Sequence, residues 1–302
     1  MRWMILLAAM GAASAFAETY PLPPPDESLI GDVRHDVTGA DDALVDVARR
    51  NRLGYEELVL ANPAVDRWLP GPGTSVLLPT RYLLPSAPRE GIVVNIAEYR
   101  LYYYRKATKK TPAVVETFAV AAGREDWQTP NVETQVSQRL QNPAWYPPRA
   151  IREEHAADGR KLPAVVPPGP DNPLGPLALK LAIPGGYFIH GTGKPFGIGM
   201  AVTHGCLRLY PQDMEALFAI VPEGTKVRVV NEPYKSGWRN GVLYVEAHPD
   251  PGAAPGALRE YLEAVLADRP DYEVDWDWVE SIALLPRGVP LPVRTADLRA
   301  AL

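Results

Sequence analysis

The sequence predicts a mainly β protein with α+β parts: a β-rich central domain, a small strand–helix–helix–strand unit before it, and a short mixed appendage after it. Three observations predict this. Proline is abundant, 33 of 302 residues, roughly twice the usual share of about 5%, which favours extended segments and turns over a helical bundle. The middle of the chain carries short apolar runs rich in branched and aromatic residues, bounded by Gly, Pro and Asn. Helical periodicity is confined to a few short stretches. Hydrophobic residues make up 46% and charged residues 22%, a globular composition. The net charge of −5 leaves no basic footprint for nucleic acid.

Residues 1–17 read as a cleavable leader. Arg2 supplies a positive start, Met4 to Ala13 an apolar run, and Ala15-Phe16-Ala17 a small-x-small cleavage site. The apolar run is too short to span a bilayer comfortably, and the leader has no cysteine for lipid attachment. The mature chain is therefore expected to be exported, without stable membrane insertion.

Pro21 to Asp26 reads as a linker. Residues 31–80 form the small unit: a strand at His35–Val37, a helix announced by Asp41-Asp42 with Leu44, Val45, Val47 and Ala48 on its apolar face, a second helix over Tyr55–Leu60 stopped at Asn62-Pro63, and a closing strand at Val76–Leu78. This order resembles a LysM module, through Glu57-Leu58, Ala61-Asn62-Pro63, Pro70-Gly71 and Val76-Leu77-Leu78-Pro79. The usual opening Gly-Asp-Thr-Leu is degraded here to Asp41-Asp42-Ala43-Leu44. The resemblance implies binding to N-acetylglucosamine-containing glycan strands, against the plainer role of a spacer.

After a second linker at Pro85–Glu90, residues 90–232 are expected to form the central domain. Strands are predicted at Ile92–Ile96, Arg100–Tyr104 and Val114–Ala121. Residues 124–175 read as one long loop forming a wall over a cleft, since long loops in compact domains are usually functional; Trp127, Trp145 and Tyr146 are its candidate lining. A strand over Tyr187–Ile189 ends on His190, a helix covers Pro211–Val221, and Val227–Val230 is a last strand. The appendage, 233–302, offers a strand at Gly241–His248, a helix at Leu258–Leu266, and an acidic stretch with Trp276 and Trp278.

Cys206 is the only cysteine. An exported chain cannot close a disulfide with one thiol, and a lone thiol there is open to oxidation. Its setting is His190-Gly191-Thr192-Gly193, then Thr203-His204-Gly205-Cys206-Leu207-Arg208. A thiol becomes a strong nucleophile only as the thiolate, which a nearby histidine can generate. The spacing lets a strand end on His190 and loop back to present Cys206. His204, two positions from the thiol on extended chain, is poorly placed as its base. Gly205 leaves the backbone bare for a peptide carbonyl and an oxyanion, and Arg208 can pin a carboxylate.

These residues resemble the signature of the L,D-transpeptidases with a YkuD-type catalytic domain. Flanking text agrees: Ile92-Val93-Val94-Asn95, Arg100-Leu101-Tyr102, Pro167 to Gly175, and Gly224-Thr225. Thr203 stands where Ser is commoner and Leu207 where Ile or Val is commoner. The resemblance implies a YkuD-like β-sandwich or barrel and an exported, Gram-negative, periplasmic enzyme of the cell wall. Cys206 would attack a tetrapeptide stem and release D-alanine, with His190 as base, the Gly191 carbonyl orienting it, His204 and Gly205 shaping the pocket, and Arg208 holding substrate. It implies peptidoglycan stem peptides as donors, another diaminopimelate or an outer-membrane lipoprotein lysine as acceptor, acylation by carbapenems, and neither metal nor cofactor. The rival readings are an L,D-carboxypeptidase of the same fold, a non-catalytic peptidoglycan-binding protein, and a metal site of His190, His204 and Cys206 completed by His155, His248 or an acid. His35, His155 and His248 taken singly read as surface or loop residues.

Overall fold

The computed structural model describes residues 18–298, so the predicted leader lies outside the described residues. β1 (Glu18–Pro21) and β2 (Leu29–Gly31) open the described chain. β3 (Arg34–Val37), α1 (Leu44–Asn51), α2 (Tyr55–Ala61) and β4 (Ser75–Leu78) follow in the expected order. β3 and β4 pair antiparallel. The Asp46 and Glu57 carboxylates accept from the Ala43 and Gly54 amides at the two helix starts, meeting donors that a helix itself leaves unpaired. Leu44, Val47, Leu53, Leu58, Val76 and Leu78 close a small core. β5 (Arg81–Leu83) returns to pair with β2.

The central domain runs β6 (Gly91–Asn95), β7 (Arg100–Arg105), β8 (Val114–Ala119), β9 (Ala122–Gly123), β10 (Val132–Gln141), α3 (Arg149–Ala157), β11 (Leu177–Leu181), β12 (Phe188–His190), β13 (Ala201–Thr203), β14 (Leu207–Arg208), α4 (Pro211–Ile220) and β15 (Lys226–Val230). Its main sheet has nine strands in the order β1-β8-β7-β6-β15-β10-β11-β12-β14. Within it β6–β15 and β12–β14 are parallel, and the other pairs antiparallel. Apolar residues on alternate positions of β6, β7 and β8, with Leu179, Ile189 and Leu207, pack around Met214, Leu217 and Phe218 of α4. The run Tyr102-Tyr103-Tyr104 is buried strand packing.

Residues 124–175 are not the loop expected. They contain β10, the longest strand at ten residues, and α3. Neither advertises itself, because Val136 is the one buried residue of β10 and Ile151 the one buried residue of α3. A strand or helix with so little apolar face lacks the periodic signal that sequence reading depends on. The expected linker at 21–26 likewise begins on β1, an edge strand paired with β8.

The appendage has its own sheet and core. β16 (Tyr234–Arg239), β17 (Val242–Ala247) and β18 (Leu291–Pro292) pair in that order. α5 (Ala257–Val265) and α6 (Trp276–Leu284) cover them through Leu243, Val245, Leu258, Leu262, Val279 and Ile282. Among the described residues no helix is long and apolar enough to cross a membrane.

Buried ion pairs join the three parts. Arg100 of β7, only 2% exposed, makes a salt bridge to Glu57 of α2. Arg52 meets Asp213 of α4 at 3.0 Å. Lys235 of β16 is buried with its Nζ 2.7 Å from Glu98 and 2.8 Å from Glu246 of β17. His248 is a correction: it is not a surface residue but is buried, its Nε2 2.7 Å from Glu246. No local pattern marks it, since a buried polar residue is recognised only by its partners.

Candidate active site

β12 and β14 lie side by side in parallel, with Ile189 opposite Leu207 and His190 opposite Arg208. That register brings Cys206, the residue before β14, beside the start of the strand that ends on His190. Both residues line one cavity of about 240 Å³, together with Arg208, His204, Trp127, Trp145, Tyr187 and Leu174. Tyr146 is not part of it and is 69% exposed, which corrects the expected lining.

His190 is buried, 2% exposed. Its Nδ1 lies 2.6 Å from the Gly191 carbonyl oxygen. A carbonyl can only accept, so Nδ1 carries the proton and Nε2 is the basic nitrogen. Burial first, and then the charge of Arg208, hold the imidazole down to about 4, against an upward pull from the main-chain carbonyls of Gly191 and Pro173. The ring is thus neutral at ordinary pH, the form that can take a proton. Burial pushes the Cys206 thiol up, while the Phe188 main chain and Arg208 pull the other way. The resting pair is accordingly thiol and imidazole, not thiolate and imidazolium.

The turn carrying Cys206 is held by hydroxyls. Thr203 Oγ1 donates to the Cys206 carbonyl at 2.6 Å and accepts from the Gly205 amide at 3.1 Å. Thr129 Oγ1 donates to the Gly205 carbonyl at 2.9 Å. Gly205 adopts φ +95°, and a Cβ there would sit 2.7 Å from the Tyr187 ring. Only glycine suits both the conformation and the contact. Its amide is already engaged by Thr203.

His204 bonds to neighbours across the site. Its Nε2 is 2.9 Å from Glu154 of α3 and 3.1 Å from Arg124 Nη1, and its ring meets Trp127 edge-on at 5.1 Å. Arg124 also donates to Glu154 at 2.6 Å. Desolvation lowers the His204 pKa, opposed by Glu154. Arg208 is half-buried, and its Nε is a buried donor with no partner among the described residues.

Sequence reading missed Arg124, Glu154, Thr129, Asn172 and Tyr187. Asn172 is buried and donates to the Pro143 carbonyl at 2.8 Å, closing the segment behind His190. Its signal was present in the run Pro167 to Gly175, where Asp171 and Asn172 are the two polar residues among prolines and glycines; Arg124 and Glu154 had none. The rival metal reading is not supported. Among the described residues, the ligand-type groups converging within 4.8 Å are Glu98, Glu246 and His248, not His190, His204 and Cys206, and the Lys235 ammonium sits between the two carboxylates.

Comparison with known proteins accords with this geometry. Residues 89–229 match the family model of the YkuD L,D-transpeptidase catalytic domain. "Probable L,D-transpeptidase YcfS" of Escherichia coli K12 is 39% identical, covering 97% of this chain and 95% of that protein. "Probable L,D-transpeptidase ErfK/SrfK" of Salmonella typhimurium is 39% identical over 92% of this chain and 82% of that one. The solved catalytic domain of an Enterococcus faecium L,D-transpeptidase is 19% identical over 48% of this chain and 99% of that chain, with a TM-score of 0.36. On the strength of the near full-length relatives, the chain belongs to the L,D-transpeptidases, cysteine-dependent acyltransferases that act on peptidoglycan.

Proposed function

We propose that this chain works in the periplasm, exchanging the terminal D-alanine of a tetrapeptide stem for an amine, with Cys206 as nucleophile and His190 as base. Cys206 Sγ attacks the carbonyl of the third stem residue, a diaminopimelate, while His190 Nε2 takes the thiol proton. That proton passes to the leaving nitrogen, D-alanine departs, and a thioester remains on Cys206. An incoming amine, its proton drawn off by Nε2, then attacks the thioester and restores the thiol. Neither metal nor nucleotide enters the scheme.

The observation that carries this reading is the cavity shared by Cys206, the residue before β14, and a neutral, Gly191-anchored His190 at the end of the adjacent parallel strand. The Nε of Arg208, without a partner among the described residues, suits a stem carboxylate, and Gly205, with its neighbour His204, gives a peptide carbonyl close access to the sulfur. The acceptor is a second diaminopimelate amine or the lysine of an outer-membrane lipoprotein. In this reading residues 1–17 are the export leader, 31–80 a LysM-like glycan-binding module, 90–232 the catalytic domain and 233–302 a packing appendage.

The test is mass spectrometry of the mature protein incubated with a disaccharide-tetrapeptide, wild type beside Cys206→Ala. A dimer lacking one D-alanine, made by wild type alone, is the expected product. Tripeptide alone would favour the hydrolase, or a protein acceptor that is missing from the assay. No turnover by wild type would sink the reading in favour of a binding protein.

A further inference from the structure

The segment between base and nucleophile is built partly into the front unit. The first-turn amides of α2 donate to it: Tyr55 N–H to the Ile198 carbonyl at 3.0 Å, and Glu56 N–H to the Gly199 carbonyl at 3.3 Å. Gly54 and Gly199 pack backbone against backbone. A Cβ on Gly54 would lie 2.9 Å from the Gly199 Cα, and one on Gly199 only 2.3 Å from the Gly54 Cα. Met200 packs against the core of the front unit, and Arg49 of α1 lies 5.1 Å over the Phe196 ring.

On its other side the same segment bonds to the catalytic sheet. Gly199 N–H donates to the Val120 carbonyl at 3.1 Å, Ala122 N–H to the Met200 carbonyl at 3.0 Å, and Arg124 N–H to the Thr203 carbonyl at 3.0 Å. Thr203 then holds the Cys206 turn through its hydroxyl. Beyond the nucleophile the grip repeats, with Tyr210 Oη donating to the Leu53 carbonyl at 2.9 Å and Arg52 paired to Asp213. The front unit therefore touches the chain on both sides of the Cys206 turn, at residues 196–200 before it and at Tyr210 and Asp213 after it. A glycan-capturing bead on a flexible linker would have no need of these contacts.

We infer that the front unit is a positioning element for Cys206: the α1–α2 corner at Leu53, Gly54 and Tyr55 sets where the nucleophile turn sits relative to His190. The inference rests on the reading of Cys206 as the nucleophile. It gives the unit a part in the chemical step that is independent of sugar binding.

Gly54→Ala tests it. Gly54 has φ −75° and ψ 147°, a conformation alanine adopts freely, so the front unit itself is unstrained. The new methyl must push Gly199 back to an ordinary contact of about 3.5–4.0 Å. Misplacement on the order of 1 Å costs about 100-fold in rate. Turnover is measured on a sugar-free tetrapeptide, which removes glycan capture from the comparison. Alkylation of Cys206 by iodoacetamide across pH gives a second readout that needs no turnover, and thermal unfolding reports the fold. The expected result is a kcat reduced between about 10- and 100-fold, an unchanged KM, and a displaced alkylation profile in a folded variant. Wild-type kcat and a wild-type alkylation profile in folded Gly54→Ala would overturn the inference. Should that variant fail to fold, Met200→Ala loosens the same segment from within the core of the front unit, and the same readouts decide. If wild type turns over no peptide, the proposed reaction fails, while the alkylation comparison still decides the positioning role.

Discussion

Glu154 Oε2 and His204 Nε2 are 2.9 Å apart, which fastens α3 to the residue two before the nucleophile. Little else holds this helix, since Ile151 is its one buried residue. Arg124 reinforces the link through Glu154 Oε1. Glu154→Ala should therefore free the 149–157 helix from the rim of the cavity. The expected outcome is a kcat/KM lowered about tenfold, with faster proteolytic nicking in this segment. Global stability should be nearly unchanged, because partly exposed pairs contribute little. Unchanged kinetics with unchanged nicking would remove α3 from any role in the site.

His190 predicts an acid-side loss of stability. Its folded pKa, about 4, lies below the ordinary 6.5, so on acidification the unfolded chain binds a proton that the folded chain does not. The contribution is fully present above pH 6.5 and drains as pH falls toward about 4. For a fully buried ring the loss is on the order of 3 kcal/mol. Denaturation midpoints of wild type and His190→Gln, compared across that window, isolate it: the wild-type curve should fall more steeply. Parallel curves would contradict the buried neutral ring. In the same variant kcat should drop by about 100-fold or more, the contribution of a general base.

Arg100 and Glu57 form a pair that only works as a pair. Arg100→Ala leaves a carboxylate buried without its cation, with an expected cost of about 3–5 kcal/mol in chemical denaturation. Arg100→Met combined with Glu57→Gln should recover much of it, because no uncompensated charge remains. Additive losses in the double variant would show that packing, not charge, holds this junction.

Carbapenems should acylate Cys206, giving an intact-mass adduct in wild type and none in Cys206→Ala. Burial raises the thiol above its ordinary 9.0, so simple alkylation should be slow at neutral pH and climb into the alkaline range. Labelling by a thiol reagent under conditions that give no carbapenem adduct would count against the proposed acyl chemistry.

The parts of this protein legible in its sequence are those whose signal is local. α1, α2, β3, β4 and α4 each carry an apolar period or a capping residue within a few positions, and each stands where expected. His190 and Cys206 were legible because glycines and a fixed spacing surround them. β10 and α3 were not, since their partners rather than their side chains make them regular. The same holds for Glu154, Arg124 and Lys235. Nothing adjacent to Lys235 says that Glu98, far earlier in the chain, will be its counter-charge. A long-range ion pair is a property of the fold, and sequence shows only its unmarked halves.

The parallel pairing of β6 with β15, Ile92 opposite Val227, bears on the order of assembly. The hairpin of β7 and β8 closes locally, but one edge of β6 waits until nearly the whole central domain has been synthesised. Contacts between residues so distant in sequence form slowly, and an open apolar strand edge meanwhile invites pairing between chains. Fragments that stop short of residue 226 should aggregate rather than fold. Closing the centre of the sheet then depends on one late strand, which follows both His190 and Cys206 along the chain.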